Sequence, residues 1–90
     1  MQMIFDSENN KPQIIYPCKW SYKIIGTNIQ QMITAVEEIV KDLEYDLTPS
    51  NISRRGKYFS LNVNVIVPSE IVRNLIFQNL SKHSAINFVI

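Results

Sequence analysis

Residues 57–67, Lys-Tyr-Phe-Ser-Leu-Asn-Val-Asn-Val-Ile-Val, carry the clearest period in the chain. Phe59, Leu61, Val63, Val65 and Val67 alternate with Tyr58, Ser60, Asn62 and Asn64, the period of a strand that sets one face on a core. The opposite register would bury Ser60, Asn62 and Asn64, so the polar side is predicted to face solvent. This is a long central strand with one wet face.

Downstream, Pro68 stops the strand, Ser69 can cap a helix, and Glu70 suits the positive first turn that follows. Ile71, Val72, Leu75, Ile76 and Leu80 predict the buried stripe of that helix, with Arg73, Asn74 and Gln78 on its wet side. Ala85 to Ile90 is short and β-prone and reads as a closing strand. Upstream, Arg55 and Gly56 turn the chain, and residues 45–53 read as a weaker strand. Pro49 cannot donate to a ladder, so that strand belongs at a sheet edge. Before it, Ile29, Met32, Ile33, Val36, Ile39, Val40 and Leu43 recur at helical spacing, with Thr27 or Asn28 as cap. Trp20, Tyr22 and Ile24 alternate with Ser21 and Lys23, which predicts a first strand over residues 20–26 that ends at Gly26. Residues 6–13 are polar and carry Pro12, and 1–13 reads as a flexible lead-in to a single domain over 14–90.

The order strand, helix, strand, strand, helix, strand buries its apolar faces best with both helices on one face of a four-stranded antiparallel sheet. Right-handed crossovers place strands one and three in the middle, in agreement with Pro49 at an edge. The fold class is therefore α+β, a ferredoxin-like βαββαβ sandwich.

Ninety residues give one core and little spare stability for a deep catalytic cavity, which favours a surface site. A net charge of +1 creates no global field for nucleic acid or anionic lipid. With Cys18 the single cysteine and His83 the single histidine, neither a disulfide nor a zinc site is expected, and a reducing compartment, the cytoplasm, is. No stretch approaches the roughly 20 apolar residues that cross a bilayer, and the N-terminus lacks the pattern of a signal peptide. No phosphate loop, dinucleotide fingerprint or nucleophile elbow is present, so no cofactor is expected.

Cys18 has no base near it in sequence, His83 falls at a helix end, and Glu37, Glu38, Lys41 and Asp42 have the spacing of a solvated helix face. No catalytic residues emerge. Arg54, Arg55 and Lys57 form the densest cluster of like charge, around the tightest turn, with Tyr58 beside them. Folding does not need three cations there, so they are candidates for docking an acidic surface or an anionic ligand. Gly26 and Thr27, at the first strand-to-helix turn, let a ligand approach backbone N–H groups. Lys23 lies on the open face of the first strand.

The run from Pro17 through Cys18, Lys19, Trp20, Ser21, Tyr22, Lys23, Ile24 and Ile25 to Gly26, the Gly56–Ser60 hairpin and the apolar last strand together resemble the small bacterial YbeD-like domain of unknown function. The sequence departs from that pattern at Arg54, where the family often has a second serine after Ser53. The resemblance covers residues 14–90 and implies a fold similar to the ACT regulatory domain, in which the Gly26–Thr27 turn contributes to small-molecule sites. It implies a non-enzymatic regulatory or adaptor module, monomeric or weakly dimeric, that binds a protein partner or a small metabolite. The alternative is a nucleic-acid binder using Arg54, Arg55, Lys57 and Lys23 on phosphates, marked by steep salt dependence. Against it, RNA-binding domains on this general fold stack bases on several outward aromatics, and the open face here supplies only Tyr58. An enzyme working through Cys18 ranks last.

Overall fold

A computed structural model describes residues 13–52 and 56–90, so most of the lead-in and the segment 53–55 lie outside the described residues. The elements are β1 (Cys18–Gly26), α1 (Ile29–Val40), β2 (Tyr45–Ile52), β3 (Phe59–Val67), α2 (Glu70–Lys82) and β4 (Phe88–Val89). They form one antiparallel sheet of order β2-β3-β1-β4 with both helices packed on one face, the ferredoxin-like arrangement.

β1 and β3 pair without interruption from Cys18 opposite Val67 to Gly26 opposite Phe59. Their inward residues, Tyr22 and Ile24 on one strand and Leu61, Val63, Val65 and Val67 on the other, are buried, and Ser60, Asn62 and Asn64 face away from the helices as expected. β1 starts earlier than its alternation suggested, because Cys18 and Lys19 find partners in Val67 and Ile66. Pro49 sits in the edge strand β2, where the pairing with β3 is irregular between Pro49 and Ile52.

Asn28 caps α1, its side chain accepting from the Gln31 N–H at 3.0 Å, and Met32, Ala35, Val36 and Val40 form the buried face. Leu43 lies past the helix end, in a turn closed by its N–H on the Val40 carbonyl at 2.9 Å. Ser69 caps α2 through the Val72 N–H at 3.2 Å. On this helix the expected stripe is corrected. Ile71 is 73% and Leu75 49% exposed, whereas Val72, Ile76 and Leu80 pack on the core. The reason is angular: Val72, Ile76 and Leu80 lie four residues apart on one line, and Ile71 and Leu75 stand one residue, about 100°, around the cylinder. Arg73, expected on the wet side, falls beside the buried line, and its side chain is 18% exposed.

The Tyr22 ring lies in the core at 3% exposure and its hydroxyl donates to the Arg73 carbonyl at 2.7 Å. Burial pushes this phenol up from 10.0 to about 12, while the nearby Arg73 guanidinium pulls the other way. A phenol whose pKa is raised by folding adds stability that is intact below pH 10 and lost as pH rises toward 12. Denaturant unfolding across that window should show stability falling by at most about 1.4 kcal/mol per pH unit from this group. In Tyr22→Phe that part of the fall should be absent.

Candidate binding surface

The face of the sheet away from the helices is built by the outward residues of all four strands. Its centre is a hydrogen-bonded row. Ser21 donates to Asn64 Oδ1 at 2.6 Å, and Asn64 Nδ2 donates to Asp46 Oδ1 at 2.8 Å and Thr48 Oγ1 at 3.4 Å. Lys19 stands 4.0 Å from Asp46, both side chains more than half exposed. Toward the other end the face changes character. Ile25 pairs with Phe88, which is 59% exposed, and Ile90, 74% exposed, exchanges backbone hydrogen bonds with Lys23. An apolar strip of Ile25, Phe88 and Ile90 thus lies beside Lys23, which itself stands opposite Asn62.

The pairing of Gly26 with Phe59 brings the β1–α1 turn and the start of β3 to the same end of the sheet. Exposed Thr27, exposed Lys57 and half-buried Tyr58 therefore share one region, with Lys23 behind them on the open face. The Lys57 ammonium stands 5.5 Å from the centre of the Tyr58 ring. Arg54 and Arg55 lie outside the described residues. Gly56 takes a φ of +66°, a left-handed conformation that side chains other than glycine's rarely adopt, which accounts for it as the turn residue.

Gly26 has a different origin. It is buried, and a Cβ there would lie 2.6 Å from the Ala85 carbonyl oxygen and 2.8 Å from Met32 Sδ. The space its missing side chain leaves is filled by the protein itself, so the glycine serves the approach of the α2–β4 connection. One amide of the first turn of α1 is likewise engaged, since the Asn28 side chain accepts from the Gln31 N–H.

Cys18 and Gly26 stand at opposite ends of β1, about 26 Å apart at 3.3 Å per residue. His83 belongs to the Gly26 end through its contact with Ala85. Its Nδ1 accepts from the Ala85 N–H at 3.1 Å, which requires a lone pair on that nitrogen, and its Nε2 faces Glu38 at 3.6 Å. Thiol and imidazole are not brought together. Among the described residues there is no group of three His, Cys, Asp or Glu side chains fit to hold a metal, and no helix long and apolar enough to cross a membrane.

Two clefts flank the helices. One, of about 320 Å³, lies between α1 and the α2–β4 connection and has a mixed lining, with Ala35 and Ala85 beside the polar side chains of Gln30, Gln31, Glu38 and His83. The other, of about 290 Å³, lies between β1 and α2 and is lined by Trp20, Tyr22, Arg73, Phe77 and Ile90. Arg73 forms its wall: Cζ sits 4.4 Å from the centre of a Trp20 ring and Nη1 donates to the Tyr16 hydroxyl at 3.0 Å. The sequence reading missed this cluster. Counting back three and seven residues from Ile76 and Leu80 reaches Arg73, a signal that its charge obscured.

Residues 11–90 match the family described as a protein of unknown function (DUF493). The chain belongs to that family. It is 36% identical over 78 residues to an uncharacterized protein of Helicobacter pylori, covering 84% of this chain and 88% of the relative. It is 33% identical to a UPF0250 protein of Hahella chejuensis, covering 94% and 98%. The solution structure of protein HP0495 from H. pylori superposes with a TM-score of 0.79 at 32% identity, over 99% of this chain and 98% of that one. The YbeD-like resemblance is thereby confirmed as family membership, and DUF493 names a fold without an assigned activity.

The Gly26 contacts yield a discriminating mutation. Gly26→Ala should destabilise the domain by about 1 to 3 kcal/mol, because the nearest obstacle is a backbone carbonyl that moves only with its loop. An unchanged unfolding midpoint would show that the close approach is absent and return Gly26 to the pool of ligand-facing residues.

Proposed function

We propose that this DUF493 protein is a non-enzymatic adaptor module that docks a protein partner on the hairpin end of its uncovered sheet face. The observation that carries this reading is the apolar strip of Ile25, Phe88 and Ile90 beside Lys23, next to Lys57 and Tyr58. Aromatic and aliphatic anchors rimmed by cations are suited to a protein surface with acidic groups around an apolar centre. In the sequence, Arg54 and Arg55 adjoin Gly56 and Lys57. The separation of Cys18 from His83 supports a binding role over catalysis. The cytoplasm is the compartment of this reading, where a lone half-buried thiol such as Cys18 stays reduced.

A second reading, capture of a small metabolite, draws on the cleft of about 320 Å³, where Gln30, Gln31 and His83 offer hydrogen-bonding groups. The two readings place their ligands on opposite faces of the sheet. In labelled protein, a partner should shift the amide signals of Lys57, Tyr58 and Phe88, and a metabolite those of Gln31 and Ala85.

The test is capture from an extract of the native cell by immobilised protein at two salt concentrations, with the bound partner identified by mass spectrometry. Arg54→Glu combined with Arg55→Glu should change stability by no more than about 0.5 kcal/mol and reduce partner capture about tenfold or more. Capture by the double variant equal to wild type would contradict docking at the hairpin. Capture of nucleic acid with steep salt dependence would establish the phosphate-binding alternative.

A further inference from the structure

The two sides of β1 are unequal. Toward β3 it is paired over its whole length, but toward β4 it pairs only near its end. The last such pair is fixed by the Lys23 N–H on the Ile90 carbonyl at 3.1 Å and the Ile90 N–H on the Lys23 carbonyl at 2.8 Å. Backbone groups in a strand alternate in direction, so the N–H and C=O of Ser21 and Lys19 point the same way as those of Lys23. Among the described residues no strand lies beside them. From this geometry we infer that the edge of β1 at Lys19 and Ser21 binds an extended peptide segment of a partner as an added strand, and that the segment carries an acidic residue followed by an apolar one.

The chemistry of the segment follows from what surrounds the empty lane. On the helix side, beneath it, Trp20, Arg73 and Phe77 line the cleft of about 290 Å³, which Ile90 bounds at the end of the lane. Ile90 fills the lane as far as Lys23, so an added strand starts opposite Ser21, and its next residue, opposite Trp20, points its side chain into this cleft. Its walls are preset: Arg73 is held against Trp20 at 4.4 Å, by Tyr16 at 3.0 Å, and through its carbonyl by Tyr22 at 2.7 Å. Phe77, 44% exposed, is the rim against which an apolar side chain closes. On the uncovered face, the peptide residue opposite Ser21 points outward between Lys19 and Lys23. The Lys19 ammonium leans across β3 toward Asp46 at 4.0 Å, but both groups are well exposed and the pair is weak, so the side chain is free to turn to an incoming carboxylate. Main-chain bonds supply affinity, the cleft and the two lysines supply selection, as in other cases of strand addition.

A second copy of the chain fits this edge poorly. Antiparallel pairing of two β1 edges about Ser21 sets Lys19 of each copy against Lys23 of the other, and at Lys23 it meets Ile90, which already fills that place. The site borders the apolar strip at Lys23 and Ile90 but uses neither Lys57, Tyr58 nor Phe88, and it does not depend on docking at the hairpin end.

The test uses the full chain labelled with nitrogen-15 and the peptide Asp-Phe-Ser-Val with an amidated C-terminus, titrated to millimolar concentration with amide shifts as readout. The inference expects saturable movement of the Lys19 and Ser21 signals, affinity about tenfold lower or worse when the peptide Ser, which falls opposite Lys19, is N-methylated, and a loss of about fivefold or more when the Asp becomes Lys. Phe77→Ala should weaken binding with the fold intact. Absence of a saturable shift, shifts centred on Lys57 and Phe88, or equal binding by the N-methylated peptide would each overturn it. So would concentration-dependent pairing of Lys19 and Ser21 between two copies of the protein.

Discussion

The ladder between β1 and β3 runs unbroken from Cys18 with Val67 to Gly26 with Phe59, and every other element takes its position from it. Its register decides which side chains of both strands meet the helices. A slip of one residue would turn Tyr22, Ile24, Leu61, Val63 and Val65 outward and bring Ser21, Lys23, Asn62 and Asn64 into the core. Burial of the first set stabilises by about 1.5 to 3 kcal/mol per large side chain, and burial of the second costs a comparable amount per polar group. The two effects act in the same direction, so the register is strongly specified. The helices then cover the apolar face, and the polar face is left to solvent with its centre tied down by Ser21, Asn64, Asp46 and Thr48.

That same ladder creates the two surfaces on which a partner is argued to act. It brings the end of β1 beside the start of β3, which gathers Lys57, Tyr58, Thr27 and the Ile25–Phe88 strip into one region. At the opposite end it holds β1 straight past the point where β4 stops pairing, which leaves Ser21 and Lys19 at an open edge above the Trp20–Arg73 cleft. An open edge carries unpaired backbone groups and is prone to association. Here it is short, and Lys19 and Lys23 beside it disfavour pairing with a second copy while favouring an acidic partner.

Much of the architecture was legible because it rests on local patterns. The alternation through residues 59–67 identified the central strand and its inward face, Pro49 placed β2 at an edge, and Asn28 and Ser69 marked the helix starts. Helix α2 was read less well. Ile71, Val72, Leu75, Ile76, Phe77 and Leu80 surround most of the cylinder, so the apolar residues do not by themselves choose a face, and only packing against Tyr22 and the sheet selects Val72, Ile76 and Leu80. The candidate site divides similarly. Lys57, Tyr58 and Lys23 were reachable from charge and alternation, whereas the placement of Arg73 against Trp20 and Tyr16 joins distant parts of the chain. Gly26 was read as a turn with room for a ligand. Its actual neighbours, Ala85 and Met32, are tertiary and could not be read from the turn itself.

Amide hydrogen exchange resolved along β1 tests the inequality of its two sides most directly. The account places the N–H groups of Trp20 and Tyr22 toward β3, that of Lys23 on Ile90, and those of Ser21 and Lys19 toward the open edge. It therefore predicts slow exchange at Trp20, Tyr22 and Lys23 and fast exchange at Ser21 and Lys19, an alternation within one strand. Exchange at Ser21 and Lys19 as slow as at Trp20 and Tyr22 would show that the edge is already occupied and would contradict the account.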